Sequence, residues 1–494
     1  MRSLFPLISL LIAGCAVGPD FKPPAPPDAI GYMPGPMPAV TVAADTAAGA
    51  PQRFVSGLDL SGTWWTLFHS PSLNALIEQA LKANPTIDAA RAALRQAQEA
   101  VYAQQGAYYP QVSAGLSASR ALTPTSALSP ASATGNPYYS LITPQLNVSF
   151  VPDLFGANSR AVESLEAQAE NQQFQLEATY LTLTANVVVA AIQEASLRAQ
   201  IAAVQATIGI ETNLLGILRK QSALGQVAGL DVAAQETVLA LGEQALPPLQ
   251  KQLAQQRDLL AVLAGHSPDV ETPARFDLAS LDLPLDLPVS LPAKLVEQRP
   301  DVRAAEATLH AASAQIGIAI AARLPQIALT GSAGSSANQF ARLFTPGNNF
   351  WSVAAGLTQP IFQGGSLLHK QRAAEAAFDQ ASAQYRGTVL TAMQNVADTL
   401  HALLSDAGAL RAAVRAERAA TRSLEITRRQ LRLGQIAYLA LLNAEQSYQQ
   451  AQLGLVQAQA NRLVDTAALF QALGGGWWHR PHANTQDEAV ESRR

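Results

Sequence analysis

Side chains able to do chemistry are few, and their spacing does not suit catalysis. The seven histidines, His69, His266, His310, His369, His401, His479 and His482, form no His-Glu-x-x-His pair, the spacing that holds a hydrolytic zinc ion on one helix face. No Gly-x-Ser-x-Gly elbow, phosphate loop or dinucleotide fingerprint occurs. The chain is therefore expected not to be an enzyme and to carry no cofactor and no metal. One cysteine, Cys15, remains. A lone thiol makes no intramolecular disulfide and no cysteine-based zinc site, so its remaining chemistry is modification of the sulfur itself.

The surroundings of Cys15 say which modification. Met1 and Arg2 precede an apolar run from Leu4 to Ala13, too short to span a bilayer but the length of a signal-peptide core. Ile12-Ala13-Gly14-Cys15 closes it and resembles the bacterial lipobox, in which the cysteine becomes the acylated first residue of the mature chain. Ala16 after the cysteine, instead of Asp, resembles lipoproteins sorted to the outer membrane. Pro19, Pro23, Pro24, Pro26 and Pro27 follow, which no helix survives. Residues 1–14 are thus a lipoprotein signal peptide and 15–68 an acylated, Pro-rich extended tether. No stretch of 18 apolar residues follows Cys15, so no transmembrane helix is expected.

The elements that would position anything in the remaining chain are set by an unusual composition. Of 494 residues 48% are hydrophobic and only 14% charged, the reverse of a disordered chain. A net charge of −4 leaves no basic domain to neutralise phosphates, so nucleic acid is not a partner. The chain is also internally repeated. Asn84-Pro85-Thr86-Ile87 to Tyr109-Pro110-Gln111-Val112 matches Arg299-Pro300-Asp301-Val302 to Leu324-Pro325-Gln326-Ile327, with equal intervals between prolines. Leu224-Gly225-Gln226-Val227 recurs as Leu433-Gly434-Gln435-Ile436. Two tandem copies of roughly 210 residues result, 69–265 and 293–476, joined by a linker at 266–292 and followed by a polar tail, 477–494, that looks disordered.

Each copy opens on a helix, Leu73 to Ala107 in the first, and then changes period. Val112, Ala114, Leu116 and Ala118 alternate with Gln111, Ser113, Gly115 and Ser117; Leu146, Val148 and Phe150 alternate with Gln145, Asn147 and Ser149. Ile327 and Leu329, then Trp351, Val353, Ala355 and Leu357, repeat the pattern. An apolar face against an uncharged polar one is the mark of a membrane β-barrel strand. A soluble antiparallel sheet on helices would alternate too, but four such strands in two hairpins (111–151 and 326–362), flanked by long helices, favour the membrane. Four strands cannot close a barrel, so several chains must share one.

After each hairpin, Gly156 to Ser222 and Gly365 to Leu433 hold apolar residues at alternating steps of four and three, a left-handed coiled-coil seam. Return helices, Leu230 to Ala264 and Leu439 to Leu473, follow Gly-containing turns. Glu194 and Glu211 interrupt the first seam and either set helix register or lie at its edge. Arg411, Arg415, Arg418 and Arg422 share one helix face that could line a lumen or meet a neighbouring chain; a solvated face is the favoured reading.

These features together resemble the outer-membrane efflux channel family, of TolC and OprM type, in its lipid-anchored NodT-like branch. Carrying the resemblance are Cys15-Ala16-Val17-Gly18-Pro19-Asp20-Phe21, Arg299-Pro300-Asp301-Val302, Gln359-Pro360-Ile361-Phe362-Gln363-Gly364-Gly365 and Leu473-Gly474-Gly475-Gly476-Trp477. It implies an α+β membrane protein: a homotrimer whose chains each give four strands to a 12-stranded barrel and long coiled-coil helices to a periplasmic tunnel. It further implies a passive exit duct for drugs or other small toxic compounds, with an inner-membrane pump and a periplasmic adaptor (membrane fusion) protein as partners and Cys15 acylated into outer-membrane lipids. Export of a protein or polysaccharide is the alternative within transport, and a periplasmic coiled-coil adaptor or scaffold the alternative outside it. Arg432, Leu439, Asn443 and Gln446 match the constriction at the helical tips. The family often has an acid where Asn443 stands, so Leu439 is left to supply an apolar ring there. The first-copy tip keeps its acid as Asp231. Leu224, Gly225, Gln226 and Val227, with Leu433, Gly434, Gln435 and Ile436, are the candidate adaptor contacts.

Overall fold

A computed structural model describes residues 16–29, 31–122, 138–270 and 274–480. The signal peptide, Cys15 and the tail beyond 480 lie outside the described residues. In chain order the tether holds β1 (Arg53–Ser56), and the first copy comprises α1 (Pro71–Ala83), α2 (Pro85–Gln105), β2 (Gln111–Leu122), β3 (Tyr138–Phe150), α3 (Ala157–Ala223) and α4 (Gly229–Leu263). The linker holds β4 (Asp286–Val289), and the second copy follows with α5 (Pro292–Gln298), α6 (Pro300–Ala321), β5 (Gln326–Ser335), β6 (Asn349–Thr358), α7 (Ser366–Arg432) and α8 (Tyr438–Ala472). The long helices α3 and α7 both contain 67 residues, and the return helices α4 and α8 both contain 35. Equal lengths in both copies are what a duplicated supersecondary unit requires. At 1.5 Å per residue α3 and α7 are each about 100 Å long.

The chain divides into two units. One, built from residues 1–24, 93–172 and 305–385, holds the antiparallel sheet β2-β3-β5-β6. Its register aligns side chains of one kind across all four strands. Val112, Val148, Gly331 and Val353 form one row, and Ala114, Leu146, Ala333 and Trp351 the next row on that face. Between them, on the other face, run Ser113, Asn147, Ser332 and Ser352. The Ser332 and Ser352 hydroxyls are bonded at 2.8 Å. The apolar face is uncovered: Trp351 is 78% and Val353 80% exposed. Strands of 10 to 13 residues suffice to cross a bilayer when tilted. Among the described residues the outer edges of β2 and β6 pair with nothing.

The other unit, residues 25–92, 173–304 and 386–494, contains the coiled-coil part. Its core joins both copies: Trp64, Phe68, Leu73, Ile77, Phe276, Leu287, Leu295, Leu463 and Phe470 are buried. The opening helix expected over 73–107 is broken at Asn84, because a residue before proline is pushed out of the helical region and proline lacks an N–H. The second copy breaks alike at Arg299. Both breaks are put to the same use. Asn84 donates to Leu263 O at 2.9 Å and Arg299 to Ala472 O at 3.0 Å, capping the last carbonyls of α4 and α8. Beside them Gly265 and Gly474, both at positive φ, press so close to the Ala83 and Gln298 carbonyls that a Cβ would sit within 2.4 and 2.2 Å.

Three sequence expectations differ from this picture. The tether is extended but not loose: Arg53–Ser56 pairs in parallel with Asp286–Val289, and Trp64–Phe68 is a buried 3-10 turn. The linker 266–292 supplies that partner strand and buries Phe276 and Leu287. The tail begins packed, since Trp477 Nε1 donates to Gln298 O at 2.7 Å and Trp478 Nε1 to Asp59. In the first two, buried aromatic or aliphatic side chains outweigh the Pro- and Gly-rich or polar composition around them, and in the tail the half-buried, hydrogen-bonded Trp477 does so. By length and composition α3 could cross a membrane. Its positions Leu183, Val187, Val188, Ala191 and Ile192 are buried in the helical core, while most of its most apolar 18-residue window is not.

Candidate functional site

The tips of the two helical hairpins are built alike. Gly225 and Gly434 take φ of +71° and +68°, the left-handed conformation that ends a helix at low cost only for glycine. Gly225 N–H donates to Ser222 O and Gln226 N–H to Gln221 O; Gly434 and Gln435 bond Leu431 O and Gln430 O in the same pattern. These pairs are Schellman closures, so the turn chemistry is duplicated with the copy. Leu224 and Leu433 project from the turns into solvent, as do Gly225, Gln226, Gly434 and Gln435, whereas Val227 and Ile436 are half-buried.

Behind the turns lies a four-helix core of Leu218, Leu424, Tyr438, Leu441, Leu442 and Ala444, with Val227, Leu431 and, from α4, Val232 and Val238 packed against it. This core sets which face of α8 is left outside. Leu439, Asn443 and Gln446, at steps of four and three, are all exposed, while Leu441, Leu442, Ala444 and Glu445 face inward. The candidate gate residues therefore form one continuous outward stripe, and Arg432 is exposed at the end of α7. Arg411, Arg415, Arg418 and Arg422 are exposed too. Of these Arg418 bonds Asp45 at 2.6 Å, fastening the N-terminal segment.

Both seam glutamates are buried, not at an edge. Glu194 pairs with Arg198 at 2.6 Å and accepts the Phe276 N–H at 3.0 Å, tying the linker to α3. Glu211 accepts from Gln235 on α4. Neither long-range partner has a local sequence signature.

A second assembly, in the sheet-bearing unit, receives the residues just after Cys15. Arg160 is buried on α3 and grips the segment at three points: Val17 O at 3.1 Å, Gly18 O at 3.4 Å and the Asp20 carboxylate at 2.7 Å. Its remaining nitrogen bonds Glu163 at 2.7 Å. Glu163 also meets His310 at 3.0 Å, and Phe21 stacks on that imidazole with ring centres 4.4 Å apart. Gly18 has φ +99° and lies so close that an added Cβ would be 2.5 Å from Gly317 Cα. The motif that carried the lipoprotein resemblance thus has a shaped seat, and Arg160, His310 and Gly317 are site residues that sequence reasoning missed.

The outer membrane efflux protein family model matches residues 76–266 and 291–475, one match per copy. Among curated relatives, the probable efflux pump outer membrane protein TtgC of Pseudomonas putida is 28% identical over 489 residues, covering 98% of this chain and 97% of that protein. The pyoverdine export outer membrane protein OpmQ of the same species is 29% identical over 423 residues, 84% of this chain and 88% of that one. Among solved structures, the outer-membrane channel OprN superposes with a TM-score of 0.82 at 27% identity, covering 94% of this chain and all of that one. VceC of Vibrio cholerae superposes at 0.78 with 27% identity, over 85% of this chain and 100% of that one. The α+β membrane fold read from the sequence, strands for a shared barrel plus a long helical tunnel, is the fold of these channels. With two copies matched in order over most of its length, the chain belongs to the outer membrane efflux protein family.

Proposed function

We propose that the chain is the exit duct of a tripartite efflux system, three copies closing one 12-stranded barrel and one tunnel. Drugs or other small toxic compounds would pass through it passively after an inner-membrane pump and a periplasmic adaptor deliver them. The observation that carries this reading is the sheet: apolar rows bare on one face, serine and asparagine rows on the other, and two edges that pair with nothing among the described residues and that further strands would close. The names of relatives such as the efflux pump component TtgC and the export protein OpmQ support small-molecule efflux over export of a polymer. The turns at Leu224–Val227 and Leu433–Ile436, whose first three residues face solvent, are then the adaptor contacts, and the exposed stripe Leu439, Asn443 and Gln446 with Arg432 is the gate lining.

The test is conductance of the purified protein in planar bilayers, with Asn443→Asp beside it. Wild type should form ion-conducting channels, and the variant, adding one carboxylate per chain, should raise cation over anion permeability several-fold. Absence of channels sinks the duct, while unchanged selectivity removes position 443 from the constriction.

Acylation at Cys15 gives the anchor, seated by Arg160 through residues 17–20. Cys15→Ser should remove the acyl mass from the mature chain and release much of the protein from its membrane anchor before barrel assembly. An unaltered mass defeats the assignment.

A further inference from the structure

The helical tip buries two carboxyl groups against each other. Glu211 on α3 is 2% exposed and Glu445 on α8 is 4% exposed. They lie within hydrogen-bonding reach of one another. Around them runs a chain of contacts through all four helices of the tip. Tyr438 Oη on α8 donates to Gln235 Oε1 on α4, and Gln235 Nε2 donates to the Glu211 carboxylate and, at 3.1 Å, to Glu211 O on α3. Arg428 on α7 donates to Glu445 Oε1 at 3.3 Å. Asp231 on α4 adds its charge near Tyr438.

One atom in this chain has no donor. Glu445 Oε2 is buried and meets none. Its neighbour Glu211 is an acceptor as long as it is ionised, and two facing acceptors in a buried pocket repel. A single proton held between the two carboxyls turns that repulsion into a hydrogen bond. Burial first, then the Glu211 charge, holds the Glu445 carboxyl up at about 7. Arg428, the cation at the pair, is half-exposed and screened by solvent, so it offsets this only in part.

We propose that Glu211 and Glu445 share one proton and act as a clasp that fastens the start of α8, with its exposed Leu439, Asn443 and Gln446, to the first-copy hairpin, and that loss of this proton releases the gate. The inference rests on the duct reading above and adds its control. The sign follows from the direction of the displacement. A carboxyl held higher in the clasped state than its ordinary 4.5 binds more protons there than in a loosened state. Clasping is therefore fully present below about pH 4.5 and is lost as pH rises through about 7. Each factor of ten in proton affinity is a factor of ten in the closed-to-open equilibrium, so the displacement allows up to about a hundredfold more opening at pH 8 than at pH 5. The test compares conductance in potassium chloride at pH 5 to 8 for the full acylated protein and for Glu445→Gln and Glu211→Gln, amides of nearly equal volume. Wild type should open at least tenfold more often at pH 8 than at pH 5. Either variant should flatten that profile. A wild type that conducts with no pH dependence, or variants that keep it, overturn the clasp and leave the duct standing. Proton sharing is read separately by difference infrared spectroscopy. A protonated-carboxyl band present at pH 6 should vanish by pH 8 and be missing from Glu211→Gln/Glu445→Gln. Its absence from wild type overturns the proposal even for a protein that never conducts. No channels at any pH, with the band intact, sinks the duct reading and the gate control with it.

Discussion

Trp64→Ala is expected to destabilise the helical unit by about 3–5 kcal/mol, the cost of a large cavity in a core that collapses poorly. The indole is 1% exposed and sits among Trp65, Phe68 and Phe470, with ring centres 6.1, 6.4 and 5.5 Å away. Phe470 belongs to α8, near the end of the second copy, so this one side chain packs the segment before the first copy against the end of the second. Gly475, at φ +65°, comes close enough that a Cβ would lie 3.4 Å from the indole nitrogen, leaving little backbone able to move into the void. Trp64→Phe keeps most of the apolar area and should lose less than half as much. The comparison is read as the apparent melting temperature of the detergent-solubilised protein. An alanine variant that melts with wild type would mean that the cluster is peripheral and that the segment before α1 is the loose tether its composition suggests.

That contrast shows what was legible. Strands and seams are local patterns: period two over ten residues, or steps of three and four over sixty, are written in consecutive side chains and were readable at β2, β3, β5, β6, α3 and α7. The sequence also showed that four strands are too few to close. Composition misled wherever a few large side chains outweigh their neighbours, as Trp64, Trp65 and Phe68 do after a Pro-rich run, and Trp477 does before a polar tail. A pair of tryptophans in such a run was the available signal. Contacts between distant residues had no signal at all. Asn84 and Arg299 precede prolines, which marks a break, but that both turn to cap the return helices emerges only when the copies are folded. The same holds at the candidate site. Leu439, Asn443 and Gln446 were identifiable by their place after the turn, whereas Glu445, two residues beyond Asn443, gains its meaning from Glu211 in the hairpin of the other copy.

Arg462 carries the other large expected effect. It is fully buried on α8 and donates to Thr41 Oγ1 at 2.9 Å, Ala50 O at 2.7 Å and Gln52 Oε1 at 3.3 Å. Gln52, also buried, in turn donates to Thr466 Oγ1 and to Pro284 O. Burial pushes the guanidinium down to about 10, against the Asp406 charge that pulls it back up, so it stays protonated at neutral pH. Nη1 has no acceptor, so the group is buried at a cost that its other bonds only partly offset. Arg462→Ala should lose about 3–5 kcal/mol, because it opens a cavity and removes at once the donors to Thr41 Oγ1, Ala50 O and Gln52 Oε1. Residues 41–52 should then detach, and trypsin should cut after Arg53 at least tenfold faster, since that residue is held in β1 by pairing with Asp286. Unchanged cleavage and melting would show that the segment is held by the β1–β4 ladder alone. Arg462→Met separates charge from bulk. It fills most of the volume and removes the cost of burying the charge, but takes away the same three donors. If it melts near wild type yet is cut faster at Arg53, the arginine is kept for where it places the N-terminal segment on the tunnel wall, not for the stability it adds.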